Sequence, residues 1–284
     1  MTYSIAAADT TTQQVGGAGT SCLMGDDVYV IYQAVPGHGV VHAQAYYNAA
    51  GRRRAAALLE QGKAPEGILA ELVQPTFDHE ASLRQYGIVD VLGRTAAFTG
   101  SDTMPFANAQ QGSRDGFAYS VQGNILTSRA VLSQAAAAFE STGCDLAERL
   151  MTALEAGAKN GEGDKRCTPS GIPSDSAFLQ VEAPGTAVGS YLSLRVKTSG
   201  HNSPLPLLRE KLDAWREQHP CPKPATPPAD SESDSGCSCH VAAHGSAPAP
   251  LGALCFASFL LGSLLVVVRR RQRAPRQLAP THTA

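Results

Sequence analysis

Short apolar runs, each closed by a turn cluster, mark out the first two hundred positions of this chain. Tyr3–Ala8 and Val15–Thr20 flank the turn-rich Asp9-Thr-Thr-Thr-Gln-Gln14, a pattern that predicts a β-hairpin beginning at the second residue. Asp27–Ala34 and Val40–Tyr47 predict two further strands around the turn residues Pro36-Gly37-His38-Gly39. Arg52–Gln61 carries Ala56 and Leu59, and Pro65–Val73 carries Ile68, Leu69 and Leu72, at the spacing of one helix face. Tyr86–Val91 and Thr95–Thr99 around Leu92-Gly93-Arg94 predict a second hairpin. Two Ala/Leu-rich helices, Ser128–Glu140 and Asp145–Ala156, are joined at Gly143. Strands at Ser176–Glu182 and Tyr191–Lys197 precede a helix, Leu205–His219, that Pro220 ends. Blocks of strands alternating with blocks of helices predict an α+β fold with mainly antiparallel sheets under helical layers, not a parallel β-α-β array.

Composition then divides the chain. Residues 1–219 read as one globular domain, long enough for a single sizeable core. Residues 220–250 are rich in Pro, Ser, Asp and Ala; such a stretch buries too little apolar surface to offset its ordering entropy and reads as a disordered linker. Residues 251–268 form an uncharged apolar run, just long enough for a transmembrane helix. Residues 269–284 open on Arg269-Arg-Arg-Gln-Arg273, a basic tail expected on the cytoplasmic side, which directs the N-terminal domain outward. The expected location is therefore the cell surface, with a single-pass anchor in the membrane. An outward-facing domain calls for an export signal, yet Met1-Thr2-Tyr3-Ser4-Ile5 shows no basic and apolar leader; either the C-terminal apolar run itself serves export or the true start lies upstream of Met1, and the second is the expectation.

Charge and motifs exclude more than they assign. Lys and Arg number 23 against 25 Asp and Glu, a formal charge of −2, and the basic residues are dispersed apart from Arg52-Arg53-Arg54 and the tail, which argues against nucleic-acid binding. Gly16-Gly17-Ala18-Gly19-Thr20-Ser21 lacks the Lys of a phosphate loop and falls within a predicted hairpin. His38, His42 and His79 lack metal-helix spacing, and the neighbourhood of Cys237, Cys239, His240 and His244 lacks a zinc-knuckle spacing, so neither a metal nor a cofactor is expected. In an exported domain Cys22, Cys144 and Cys167 can oxidise, or can stay as buried thiols; spacing leaves the connectivity open.

Several segments recur together in one bacterial family. Thr2-Tyr-Ser-Ile5, Gly37-His-Gly-Val-Val-His-Ala-Gln-Ala45 with Asn48, Gly87-Ile-Val-Asp90, Gly93-Arg94, Ala97-Phe-Thr-Gly100, Gln122-Gly-Asn-Ile-Leu126, Leu146-Ala-Glu-Arg-Leu150 and Gly163-Asp-Lys-Arg166 stand in that order. Over about residues 2–200 the chain resembles the uncharacterised domain-of-unknown-function family 1028, which is grouped with the N-terminal-nucleophile (Ntn) hydrolases. The resemblance implies a four-layer αββα sandwich of two antiparallel sheets between helices. It also makes Thr2 a candidate nucleophile, whose hydroxyl attacks an amide carbonyl while its own α-amine acts as base. An α-amine has a pKa of about 7.7–8, so part of it is unprotonated at neutral pH. That chemistry needs Met1 absent, by methionine removal or by cleavage of a leader, and relatives with leaders tend to have Ala before the Thr. The competing reading makes Thr2 the first residue of an edge strand. Ser4 shares its face but has no α-amine.

Gln44, Asn48 and Asn124 are candidate oxyanion donors, each equally readable as an amide satisfying turn backbone. Asp164 and Arg166 are candidate binders of a substrate's charged end. Some relatives carry Gly-Arg-Gln-Ser after the matching Arg, where this chain has the longer Cys167-Thr-Pro-Ser-Gly-Ile-Pro-Ser-Asp175. Gly236-Cys237-Ser238-Cys239 followed by the apolar run and the Arg cluster resembles the myxobacterial MYXO-CTERM sorting tag, which implies processing near Cys237 or Cys239 by a sorting protease. The chain is thus expected to be a surface amidohydrolase acting on an amide or peptide; the alternative is a non-catalytic surface protein in adhesion, fimbrial or envelope assembly.

Overall fold

Strand β1 (Thr2–Asp9) is buried along its whole length, because it lies inside a sheet that is covered on both faces. Its neighbours are β2 (Gln14–Ser21), its hairpin partner, and β8 (Phe117–Asn124), which pairs Thr2 with Asn124 and Ser4 with Gln122. With β7 (Asn108–Arg114), β9 (Ser176–Glu182) and β10 (Leu192–Lys197) they form a six-stranded antiparallel sheet in the order β10-β9-β2-β1-β8-β7. A second antiparallel sheet has the order β3 (Tyr32–Val35), β4 (Gly39–Ala45), β5 (Arg84–Asp90), β6 (Thr95–Thr99). The structure, a computed structural model, describes residues 2–198 and 202–222. The apolar run, the Arg cluster, most of the linker, Cys237 and Cys239 lie outside them. Among the described residues no helix is long and apolar enough to cross a membrane.

Alternation along β1 builds the layers. Tyr3, Ile5 and Ala7 turn toward α3 (Ala130–Ser141) and α4 (Leu146–Ala156), where they pack with Val131, Leu150 and Leu154. Ala6 and Ala8 turn the other way and meet Val40, Val89 and Phe178 between the sheets. On the far side of the four-stranded sheet, Val41, Ala43, Tyr86 and Ile88 cover Leu58, Leu59, Ile68 and Leu72 from α1 (Ala49–Glu60) and α2 (Pro65–Leu72). Helix, sheet, sheet, helix is the resulting order. Local signals set the helix ends: the Asp145 carboxylate accepts from the Glu148 N–H at the start of α4, and Pro65 opens α2. α5 (Leu205–Arg216) is tied to α4 by Arg209, which donates to Glu148 and Glu155 at 2.7–3.0 Å.

Two departures from the sequence pattern have local causes. The apolar Asp27–Ala34 is strand only from Tyr32, where β3 begins: Val28–Ile31 winds into a 3-10 turn. There Asp27 accepts from the Tyr29 N–H, Ser176 Oγ takes the Val28 N–H, and Val28 and Ile31, three apart, both bury. The β7–β8 hairpin has no signal in its first strand, since Asn-Ala-Gln-Gln-Gly-Ser-Arg is an exposed sheet edge without an apolar face. The Gly-rich stretch is strand, as its hairpin context indicates, and a Cβ on Gly17 would come within 2.2 Å of His42 Nε2. Among the described residues two disulfides form, Cys22–Cys167 and Cys144–Cys221, with Cα–Cα distances of 5.7 and 5.4 Å.

Candidate functional site

Thr2, Ser4, Gln44, Gln85, Ser120, Gln122 and Asn124 place a strip of buried polar groups between the sheets, at the end where β1 begins. Ser4 Oγ donates to Gln44 Oε1 and accepts from Gln122 Nε2, both at 2.7 Å. Ser120 Oγ donates to Gln122 Oε1 at 2.8 Å. Gln85 Oε1 accepts from Gln44 Nε2 at 2.8 Å and from Asn124 Nδ2 at 2.9 Å, and its own amide donates to the Gly123 carbonyl and Thr99 Oγ1. Four side-chain amides thus cross-link the two sheets, and partners of this number make the network rigid. Thr2 begins an interior strand, not an edge, and its Oγ1 donates to Ser21 Oγ at 3.2 Å.

His42 lies beside this strip, fully buried, with Gln122 Nε2 3.4 Å from Nδ1 and no hydrogen-bond partner at Nε2. Burial pushes its imidazole down from 6.5 to about 3. The folded chain therefore binds no proton there between those values while the unfolded chain does, so stability falls as pH drops below about 6.5. The slope approaches about 1.4 kcal/mol per pH unit. His42→Gln is expected to flatten this limb, which urea midpoints measured at pH 7, 5.5 and 4.5 will show as a narrowing gap to the wild type.

A cavity of about 290 Å³ opens at the same end, walled by Tyr46, Tyr47, Met104, Asn124, Ile125 and Arg166 among others. Its rim is held from below. Asn48, the N-cap of α1, accepts from the Gly51 N–H at 2.9 Å and donates to Asp78 Oδ2 at 2.7 Å. Asp78 in turn accepts from Arg84 Nε at 2.8 Å, and Arg84 donates to the Tyr46 carbonyl at 3.1 Å. The Arg84 guanidinium holds the Asp78 carboxyl below the usual carboxylate range. Asn48 is thus a capping and rim-supporting residue, while Thr2, Gln44 and Asn124 come together at the strand ends.

The two charged candidates divide their work. Asp164 is buried; its carboxylate accepts from the Cys22 N–H at 2.7 Å, from the Arg166 N–H at 2.9 Å and from the Arg166 guanidinium at 3.1 Å. Arg166 keeps 42% of its side chain exposed and lines the cavity. The disulfide Cys22–Cys167 fastens the residue after Arg166 to the residue after Ser21. Ligand atoms of Cys22, Cys167 and Asp175 lie within 4.8 Å of one another, the one such group among the described residues. The two sulfurs are joined to each other, and a metal would need them as thiolates.

Residues 2–208 match the model of a family described as "Family of unknown function (DUF1028)". The chain belongs to DUF1028. Among solved structures it is similar to a DUF1028 protein of Silicibacter pomeroyi, with 23% identity, 76% of this chain and 89% of that one covered, and a TM-score of 0.63; the likeness shows the fold. It also matches Anbu (ancestral beta-subunit) from Yersinia bercovieri at 12% identity, over 78% of this chain and all of that one. The TM-score there is 0.36, too low to carry an argument. No curated protein matches. In this DUF1028 chain, Ser21, Gln85 and Gln122 join the site without having been singled out by sequence. Gln122 stands in one of the segments that carry the family resemblance; for Gln85 the signal is a polar residue at an inward position of its strand, as in Arg84-Gln-Tyr-Gly-Ile-Val-Asp90.

Proposed function

We propose that this chain is an amide hydrolase of the N-terminal-nucleophile type, with Thr2 as nucleophile. The observation that carries the reading is the situation of Thr2: it starts an interior strand, its hydroxyl is hydrogen-bonded to Ser21, and its register partner Asn124 lines the cavity. With the residues before it removed, the Thr2 amine takes the proton from Oγ1 as that oxygen bonds to the substrate carbonyl carbon. The same proton passes to the leaving nitrogen as the C–N bond breaks, which leaves an ester on Thr2. Water, deprotonated by the amine, then cleaves the ester and restores the hydroxyl.

Asn124 commits one amide N–H to Gln85, and its second is the oxyanion donor. Gln44, engaged with Ser4 and Gln85, positions the strand ends. Attachment to the outer face of the membrane through residues 251–268, with processing near Cys237 or Cys239, belongs to the same proposal.

Mass spectrometry and N-terminal sequencing of protein isolated from its native membrane test both ends at once. A chain beginning at Thr2 is expected. Any residue retained ahead of Thr2 removes the base and leaves the non-catalytic surface protein as the reading that stands.

A further inference from the structure

Two backbone positions mark the cavity beside Thr2 as built for a ligand. Ala45 has φ 68° and Ile125 has φ 50°, a left-handed conformation that costs an L residue free energy, most of all a β-branched one. Gln13, Met24, Asp115 and Asn160 are also at positive φ, away from this cavity; Ile125 is the one β-branched residue of the set. Ala45 follows Gln44 at the end of β4, and Ile125 follows Asn124 at the end of β8. The two strained residues therefore sit at matching ends of strands from different sheets, and both line this cavity. The Ile125 backbone is pinned by hydrogen bonds to the Met104 carbonyl and from the Lys165 N–H, so the conformation is held from both sides.

The wall has three chemical faces. Tyr46 and Met104 are more than half exposed and, with Tyr47, present aromatic and thioether surface to solvent. Arg166 brings a positive charge to the wall: Asp164 holds its guanidinium through Nε and Nη2, and 42% of the side chain stays exposed. Asp102 adds one carboxylate, which disfavours a second negative group in the ligand. The volume is that of roughly ten water molecules, about the size of one acylated amino acid.

We infer that this cavity binds an amide carrying a single carboxylate and an apolar side chain, an N-acylated amino acid or the C-terminal residue of a peptide, with the carboxylate on Arg166. This deepens the proposed function and rests on it only for which bond is cut; the binding itself does not need Thr2. The side chain lies along Tyr46, Tyr47 and Met104, and the amide meets Asn124.

Calorimetric titration of the full chain with three probes tests it: N-acetyl-L-leucine, its neutral amide N-acetyl-L-leucinamide, and N-acetyl-L-glutamate. The leucine acid is expected to bind at least tenfold more tightly than the neutral amide and than the dicarboxylate. Arg166→Met is expected to weaken the acid at least tenfold and leave the neutral amide unchanged, and Thr2→Ala to bind the acid as the wild type does. Equal affinity of the wild type for acid and neutral amide, or no binding of the acid at millimolar concentration, overturns the inference without reliance on any variant's folding. So does unchanged affinity of Arg166→Met for the acid. Acid-selective binding in a chain that cleaves no amide would sink the nucleophile reading and keep this one. Amide cleavage indifferent to the carboxylate would do the reverse.

Discussion

Thr2→Ala is expected to lower amide hydrolysis by at least about a thousandfold while the protein stays folded. Removal of the atom that forms the covalent bond leaves only binding and oxyanion stabilisation, and the residual rate is set by those. The cost to stability is small by comparison. The Thr2 hydroxyl makes one side-chain hydrogen bond, to Ser21 Oγ, and a buried bond of this kind contributes about 1 kcal/mol. Thr2→Ser keeps both the oxygen and the amine and is expected to retain activity. Ser4→Ala is expected to keep most of it, because Ser4 Oγ is locked between Gln44 and Gln122 and has no amine of its own. The pH profile adds a second check. The base must be unprotonated, so kcat/KM in the wild type rises with pH through about 8 and then levels. His42 does not contribute a limb near neutrality, since burial holds it neutral there. Hydrolysis by Thr2→Ala at the wild-type rate, with a purified chain free of contaminating amidase, would falsify the assignment.

The elements that could be read from sequence are those whose pattern is complete within one segment. The β1–β2 and β5–β6 hairpins each have two apolar runs and a turn cluster between them, and α1 to α5 each show one apolar face. Where a segment's partner decides its shape, the pattern misleads. Val28–Ile31 is apolar and β-branched enough to suggest a strand, but Ser176 on β9 and the Asp27 cap bend it into a turn. The edge strand β7 shows nothing apolar, although Asp115-Gly116, at φ 53° and 83°, is a strong hairpin signal.

The site was legible to the same extent. Thr2, Gln44 and Asn124 stand at or next to strand ends in the segments that carry the family resemblance, and they do meet. Gln85 and Gln122 meet them only because β4 pairs with β5 and β1 with β8 in one register, with Gln44 opposite Gln85 and Ser4 opposite Gln122. No local pattern encodes that coincidence. Asn48 had a local signal, the preference of Asn for a helix N-cap, and that is where it sits.

Removal of the two disulfides one at a time is expected to separate stability from function. Cys22–Cys167 closes a separation of 145 residues and Cys144–Cys221 one of 77. Loop-closure entropy assigns them about 5 and about 4.5 kcal/mol as upper values, with 2–5 kcal/mol the usual cost of losing such a bond. For a domain of this size each kcal/mol moves Tm by about 2–4 °C, so both paired Cys→Ser variants are expected to melt roughly 5–15 °C lower, by similar amounts. Their activities should part. Cys144 and Cys221 lie by Asp9 and Thr11, at the far end of β1 from Thr2, and their loss leaves the site intact at a temperature below the new Tm. Cys167 directly follows Arg166, and Cys22 directly follows Ser21, the partner of the Thr2 hydroxyl. Without that bond, the segment next to Arg166 keeps the Asp164 carboxylate on the Cys22 N–H, while the loop's far end stays tied by the Asp175 N–H on the Ser21 carbonyl. KM for a carboxylate-bearing amide is therefore expected to rise tenfold or more in the Cys22→Ser, Cys167→Ser variant alone. Parallel losses of activity in both variants at a matched interval below Tm would show that the bond near Thr2 acts on stability only.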